Sequence, residues 1–309
     1  MRNAFIQELL EQAKNNDKIQ LITGDLGYGV LNEFWEKYPN QFINAGIAEQ
    51  AMTGIAAGMA LEGNIVFTYS IANFPTMRCL EQIRNDCAYH NANVKIVAVG
   101  GGLVYGAHGM SHHATEDIAI MRALPNVVVT APADPIEAKY ITREIIKHQG
   151  TCYMRLGRGG EKIIHNKKLE NLKLGKAIQI EEGKKIAIFS TGAILDEAIE
   201  VRKNLASKKI ECALYSFPTI KPLDIEIIQK YADIAELIVT IEEHNIIGGF
   251  GSAVAEVIAE NRNNCKLLRI GLNDTYSSIV GTQSYLRKVY GINAKKIEKR
   301  ILKLLENKK

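Results

Sequence analysis

The chain has 309 residues, of which 47% are apolar, 23% charged and 7% aromatic. That balance excludes disordered, collagenous and low-complexity classes, and since a single core stops growing near roughly 250 residues it points to two domains. Lys and Arg number 38 against 34 Asp and Glu, a net charge of +4 that is too small and too scattered for a nucleic-acid binder.

From the N-terminus, Phe5, Leu9, Leu10 and Ala13 repeat at helical spacing within Ala4–Lys14, so Met1-Arg2-Asn3 leads into a helix and not into a signal or transit segment. Short β-rich runs then alternate with helical stretches. Strands are expected at Ile19–Gly24, Ile65–Tyr69, Val94–Gly100, Asn126–Ala131 and Thr151–Leu156. A second series is expected at Lys185–Ser190, Glu211–Phe217, Glu236–Glu242 and Lys266–Ile270. The alternation predicts an α/β fold of two doubly wound domains with mostly parallel sheets. Between Gly157 and Gly183 the pattern lapses into Gly, Lys, Asn and Glu, which places a linker at 166–184 between domains at 1–165 and 185–309. The last helix carries Ile297, Ile301, Leu304 and Leu305 on one face and lysines elsewhere, a packed helix with a solvated side. Apolar runs such as Val94–Val99 and Leu237–Ile241 fall far short of the ~20 residues of a membrane span. Cys79, Cys87, Cys152, Cys212 and Cys265 lie in apolar stretches with no C-x-x-C pair, as expected of reduced core thiols in a cytoplasmic protein.

Three groups of residues carry candidate chemistry. Glu49 stands at the head of a helix of small residues, Ala51–Ala60, that lets another helix or a flat ligand approach closely. It either complements the helix dipole in the first turn or, beside an apolar wall, keeps a proton that it can share. His108, His112 and His113 cluster near Glu116 and Asp117, but Gly100, Gly101, Gly102, Gly106 and Gly109 make this an irregular loop and argue against metal ligation. Arg155 and Arg158 flank a glycine after a strand, which suits a terminal phosphate. A Gly27-x-Gly29 turn lacks the third glycine of a dinucleotide fingerprint.

Asn44–Gln50 resembles the glutamate motif of the thiamine diphosphate enzymes of the transketolase superfamily. The resemblance continues through Phe74–Asn85, Gly109–Ile118, Pro125-Asn126, Pro132–Asp134, Glu242-Glu243-His244 and Gly248–Ser252, and so covers nearly the whole chain in family order. It implies a pyrimidine-binding domain followed by a transketolase C-terminal domain. In the roles it implies, Glu49 meets N1′ of the cofactor's aminopyrimidine, and His112 faces the substrate as proton shuttle and hydrogen-bond donor. His113 stands where the family usually has Gln. His108 stands where transketolases usually carry an Asp that contacts a donor-sugar hydroxyl. Phe74 and Tyr69 are the candidates for the aromatic wall against the pyrimidine, with Ile71 close to the stacking position. Arg78 faces the cleft while Arg84 is left to solvent, and Arg155 and Arg158 follow the pattern of the phosphate-grasping arginine. His244 and the Gly248–Ser252 turn open a helix whose amides could hold an anion, or simply form a tight turn.

The superfamily's Gly-Asp-Gly segment and downstream Asn, which hold the metal on the diphosphate, have no counterpart. Gly24-Asp25-Leu26-Gly27 lies in the wrong domain. The resemblance therefore implies the C-terminal subunit of a split transketolase. Its partner would be an N-terminal, diphosphate-binding subunit holding most of the Mg²⁺ or Ca²⁺, with the chain self-dimerising in an α2β2 heterotetramer. It would move a two-carbon ketol unit from a ketose (phosphate) donor to an aldose. The alternatives are the β subunit of a 2-oxoacid dehydrogenase, an enzyme like 1-deoxyxylulose-phosphate synthase, and a non-catalytic regulatory or scaffolding subunit.

Overall fold

The computed structural model describes residues 1–166, 168–261 and 265–306. In chain order the strands of the first half are β1 (Ile19–Thr23), β2 (Phe42–Asn44), β3 (Ile65–Ile71), β4 (Val94–Val99), β5 (Val127–Thr130) and β6 (Thr151–Leu156). The second half contributes β7 (Ile178–Glu181), β8 (Ile186–Ser190), β9 (Cys212–Ser216), β10 (Thr219–Lys221), β11 (Leu237–Asn245) and β12 (Lys266–Leu272). They form a seven-stranded sheet, β10-β5-β6-β4-β3-β1-β2, and a five-stranded sheet, β12-β11-β8-β9-β7. All pairings are parallel except those of β10 with β5 and β7 with β9.

Every strand expected from the sequence is present, with β11 running on to Asn245 instead of ending at Glu242. β2, β7 and β10 were not expected. Each is short, and β7 alternates between half-buried and exposed residues as an edge strand does, so none offers the apolar run of a central parallel strand. β7 also lies within the span read as linker. β10 departs further from chain order: it leaves the second half of the chain and completes the first sheet.

Parallel strands covered on both faces distribute their side chains by period-two alternation. Along β4, Ile96 and Ala98 face one core while Val97 and Val99 face another. On the Val97 side lie the helices Arg2–Ala13 and Pro135–Lys147, with Phe5 against Phe67. On the Ile96 side lie the helices Glu49–Leu61 and Asp117–Ala123, together with second-half residues Phe189, Phe217 and Phe250. One hydrophobic core thus spans both halves, each fully buried large side chain contributing roughly 1.5–3 kcal/mol. The helix Ala294–Glu306 buries Ile297 and Ile301 as the pattern predicted. All five cysteines are free thiols, four of them buried. Among the described residues no helix is long and apolar enough to cross a membrane.

Candidate active site

The parallel strands of the first sheet all end on one edge, where open α/β sheets place their ligands. At the end of β2, Asn44 Oδ1 accepts from the backbone amides of Asp25 and Gly46, and Asn44 Nδ2 donates to Asp25 Oδ1 at 2.9 Å. Tyr28 OH donates to the same Asp25 oxygen at 2.7 Å. These hydrogen bonds, Asn44's first, hold the Asp25 carboxyl below its ordinary range. The loop so stitched starts the helix Glu49–Leu61 with Glu49 as its first residue, turned inward and 3% exposed. Tyr28 and Asn44 of the stitched loop also line a cavity of about 220 Å³ together with Trp35 and Phe42.

Glu49 Oε2 receives Arg78 Nη1 at 2.6 Å. Its neighbour on the open side is therefore a guanidinium, not the apolar wall expected. Arg78, 46% exposed along its side chain, lies over the Phe74 ring with Cζ 4.6 Å from the centroid. Phe74 meets the edge of His112 at 5.4 Å between centroids. Asn73 Nδ2 donates to Ser111 O, and Ser111 Oγ pairs with His112 Nδ1 at 3.1 Å, so the turn after β3 is tied to the loop after β4. His108 and His112 lie 5.0 Å apart, Tyr105 stands edge-on to both, and Arg158 Cζ sits 5.4 Å from the Tyr105 centroid. Glu49, Arg78, Phe74, His112, His108, Tyr105 and Arg158 thus form one line of contacts along the carboxyl edge. Burial, and then the neighbouring His108, lower the pKa of His112, which keeps its ring neutral near pH 7.

Other expected site residues lie elsewhere. Tyr69 is 2% exposed and stacks on Phe5 at 6.3 Å, because it shares the β3 face of Phe67 that packs on the helix Arg2–Ala13, so it is a core residue and not the cofactor wall. Ile71 ends β3 half-buried, where its carbonyl accepts from Phe74 N. Arg155 does not reach the cleft. Its Nε donates to Asp117 Oδ2 at 2.8 Å and its Nη2 to the carbonyls of Ala114 and Glu243, bonds that join the two halves of the chain. Arg84 is exposed and bonded to Asn85.

The loop Gly106–His112 consists of two 3₁₀ turns around Gly109, which has φ +79°. His113 is buried, with Nε2 lacking a partner and its pKa lowered chiefly by burial. His244 is fully buried, its Nδ1 paired with Asn245 O and its pKa lowered chiefly by burial. The helix start after it is filled by the Glu242 carboxylate, which accepts from Phe250 N and Gly251 N and whose pKa burial pushes up to about 7. The amides of Phe250 and Gly251 are thus taken by this chain's own carboxylate. Sequence reasoning missed Tyr105, Asn73 and Tyr28. Tyr105 carried one signal, as the one Phe, Tyr or Trp between Gly100 and Gly109.

Comparisons with known proteins identify the family. Residues 1–160 match the transketolase pyrimidine-binding domain and residues 175–297 the transketolase C-terminal domain. A protein of Methanocaldococcus jannaschii named as a transketolase C-terminal section is 42% identical, covering 98% of this chain and 95% of that protein. One of the subunits of the apulose-4-phosphate transketolase of Actinobacillus succinogenes is 33% identical over 96% of each chain. Among solved structures, a split-gene transketolase in an inactive β4 tetramer superposes with a TM-score of 0.89 at 34% identity, over 98% of this chain and 97% of that one. The chain belongs to the transketolase family, as a subunit of the split type that carries the pyrimidine-binding and C-terminal domains.

Proposed function

We propose that this chain forms the pyrimidine side of a thiamine diphosphate site and, joined to a diphosphate-binding subunit, transfers a two-carbon ketol unit from a ketose phosphate to an aldose. The observation that carries the reading is the buried Glu49 carboxylate, placed on the same sheet edge as Phe74 and His112. The residues fit the cofactor's aminopyrimidine. Glu49 offers a carboxylate whose present partner, Arg78, is half exposed and displaceable, and Phe74 offers an aromatic face. When bound, thiamine diphosphate supplies an electron sink at its thiazolium.

The chain's own residues manage protons and position. Glu49 holds a proton at N1′ of the aminopyrimidine, and Phe74 orients the ring and excludes water. His112, its Nδ1 engaged by Ser111, has Nε2 left to meet a substrate oxygen, and its lowered pKa keeps the ring neutral, so that Nε2 donates or accepts according to the tautomer. Arg158, exposed over Tyr105, has its donors available for a sugar phosphate.

The diphosphate and its Mg²⁺ or Ca²⁺ fall to the partner. Asp25, the acid of the chain's one Gly-Asp-x-Gly segment, is engaged by Asn44 and Tyr28. The β4 tetramer described as inactive supports a requirement for that partner, and an α2β2 assembly in the cytoplasm accommodates both the split and the free thiols. The test is reconstitution: with a diphosphate-binding subunit, thiamine diphosphate and Mg²⁺, ketol transfer should appear, and neither chain alone should show it. Activity of this chain alone would overturn the reading.

A further inference from the structure

The loop that carries His108 and His112 leaves β4 at Gly100 and returns at Thr115. Its neck is a two-residue antiparallel bridge, with Gly102 N donating to Ala114 O at 2.8 Å and Ala114 N to Gly102 O at 3.1 Å. Beyond the neck the chain makes only short 3₁₀ turns, which satisfy few of their own amides. Several ties that hold the loop in place come from the second half of the chain. Glu243 Oε1 accepts from Leu103 N at 2.7 Å, Asn245 N donates to Thr115 O at 2.8 Å, and Gly281 N donates to Gly106 O at 3.2 Å. Arg155 Nη2 bridges the same point, reaching Ala114 O at 2.8 Å and Glu243 O at 2.9 Å.

Glu243 is itself fixed. It is 3% exposed, Gln283 Nε2 spans its two oxygens at 2.8 and 3.1 Å, and Arg287 Nε donates to Oε2. Arg287 is in turn anchored to Asp196 at 3.0 Å. The approach to the neck is close: Gly102 has φ +71°, and a Cβ added there would stand 2.5 Å from Glu243 Oε1 and 2.8 Å from Cγ. Only glycine lets the carboxylate come this near.

We infer that Glu243 is a positioning residue for ketol transfer: held by Gln283 and Arg287, it clamps the neck of the histidine loop and so sets where His108 and His112 stand beside Phe74. The C-terminal domain then takes part in the reaction without touching substrate. The catalytic half of this inference rests on the role assigned to His112 above, whereas the clamp itself does not. A purely structural Glu243 would join the two domains and leave the ring positions unchanged once the variant is folded.

The full-length chain, labelled with ¹⁵N in its seven histidines, gives ring signals that assign through His108→Asn and His112→Asn. In Glu243→Ala the His108 and His112 signals should shift and broaden toward those of free histidine. His90 and His148, beside the opposite ends of the strands, should hold. Glu243→Gln, which keeps an oxygen for Leu103 N, should restore the pattern in part. Should Glu243→Ala fail to fold by circular dichroism, Gln283→Ala removes the amide that orients Glu243 and carries the same test. In the reconstituted complex, kcat should fall by up to roughly a hundredfold in Glu243→Ala, the cost of misplacing a catalytic group by about 1 Å. The KM of a phosphorylated donor should rise as well, because Tyr105, the ring under Arg158, and His108 ride on the same loop. Unmoved ring signals in a folded Glu243→Ala or Gln283→Ala overturn the clamp, and moved rings with an unchanged kcat overturn its catalytic consequence. A wild-type complex without ketol transfer would sink the assigned function while the ring measurement still decides the clamp.

Discussion

Glu49 faces a guanidinium across 2.6 Å, and what happens to that pair when the pyrimidine site fills decides the chemistry of the cleft. An ion pair to a half-exposed arginine contributes little to stability. Glu49→Gln should therefore fold and unfold much as the wild type does, yet slow exchange of the cofactor's thiazolium C2 proton in the complex by about 10²–10⁴, the usual worth of a positioned acid–base group. Wild-type exchange in the Gln variant would remove Glu49 from its role. Arg158 stands at the far end of the line, and charge-assisted hydrogen bonds contribute roughly 1.5–3 kcal/mol, so Arg158→Ala should raise KM for phosphorylated substrates about tenfold to a hundredfold. Unphosphorylated analogues should lose far less, and equal losses would make Arg158 structural. His108 packs between Tyr105 and His112, and a neutral imidazole both donates and accepts, unlike the Asp that the family resemblance implies at this position. His108→Asp should reorder a panel of ketose phosphate donors by kcat/KM, and an unchanged order would show that the position does not select them. That Glu49, His112 and Arg158 lie along one sheet edge was legible because each stands in a local motif. Tyr69 and Arg155 were misassigned because a residue type at the end of a strand does not say which face it takes, and here both faces are buried.

The segment that follows β6 positions Arg158 and is latched to the helix Pro135–Lys147. Asp134 caps that helix through Oδ1, to Glu137 N at 2.8 Å, and with Oδ2 accepts from Ile164 N and His165 N. Glu137 Oε1 meets His165 Nε2 at 2.7 Å, and both side chains are buried. Burial alone lowers the His165 pKa, but the hydrogen bond to Glu137 and the charges of Glu137 and Asp134 outweigh it, so the net shift is upward. A histidine whose folded pKa is raised stabilises fully below its unfolded value near 6.5, and the contribution is lost as pH rises through the folded pKa. His165→Gln should therefore cost most stability below pH ~6 and progressively less in alkaline solution, as read by urea unfolding across that range. A deficit independent of pH would mean that the ring acts by packing alone. Little of this latch was visible in sequence, where the stretch from Gly157 to Gly183 carries only weak periodicity, and Ile164 and His165 are held by tertiary hydrogen bonds.

Across the whole molecule, chain order and architecture part company at β10. Three residues between Pro218 and Pro222 complete the first sheet, and Lys221 Nζ donates to the carbonyls of Arg122 and Leu124. The parallel sheets were legible because their strands are continuous apolar runs. The crossing was not, since a short strand pairing far along the chain leaves no local pattern. The same interlocking, through Arg155, Glu243 and the shared core, makes the two domains one supporting body for a single sheet edge. On the proposed reading that edge carries the residues for the pyrimidine and the substrate, and the diphosphate finds its ligands on the partner. Calorimetric titration of thiamine diphosphate with Mg²⁺, into this chain alone and into its mixture with a diphosphate-binding subunit, tests the claim most directly. The account predicts negligible heat with the chain alone and stoichiometric, saturable binding in the mixture. Tight binding to the isolated chain would contradict it.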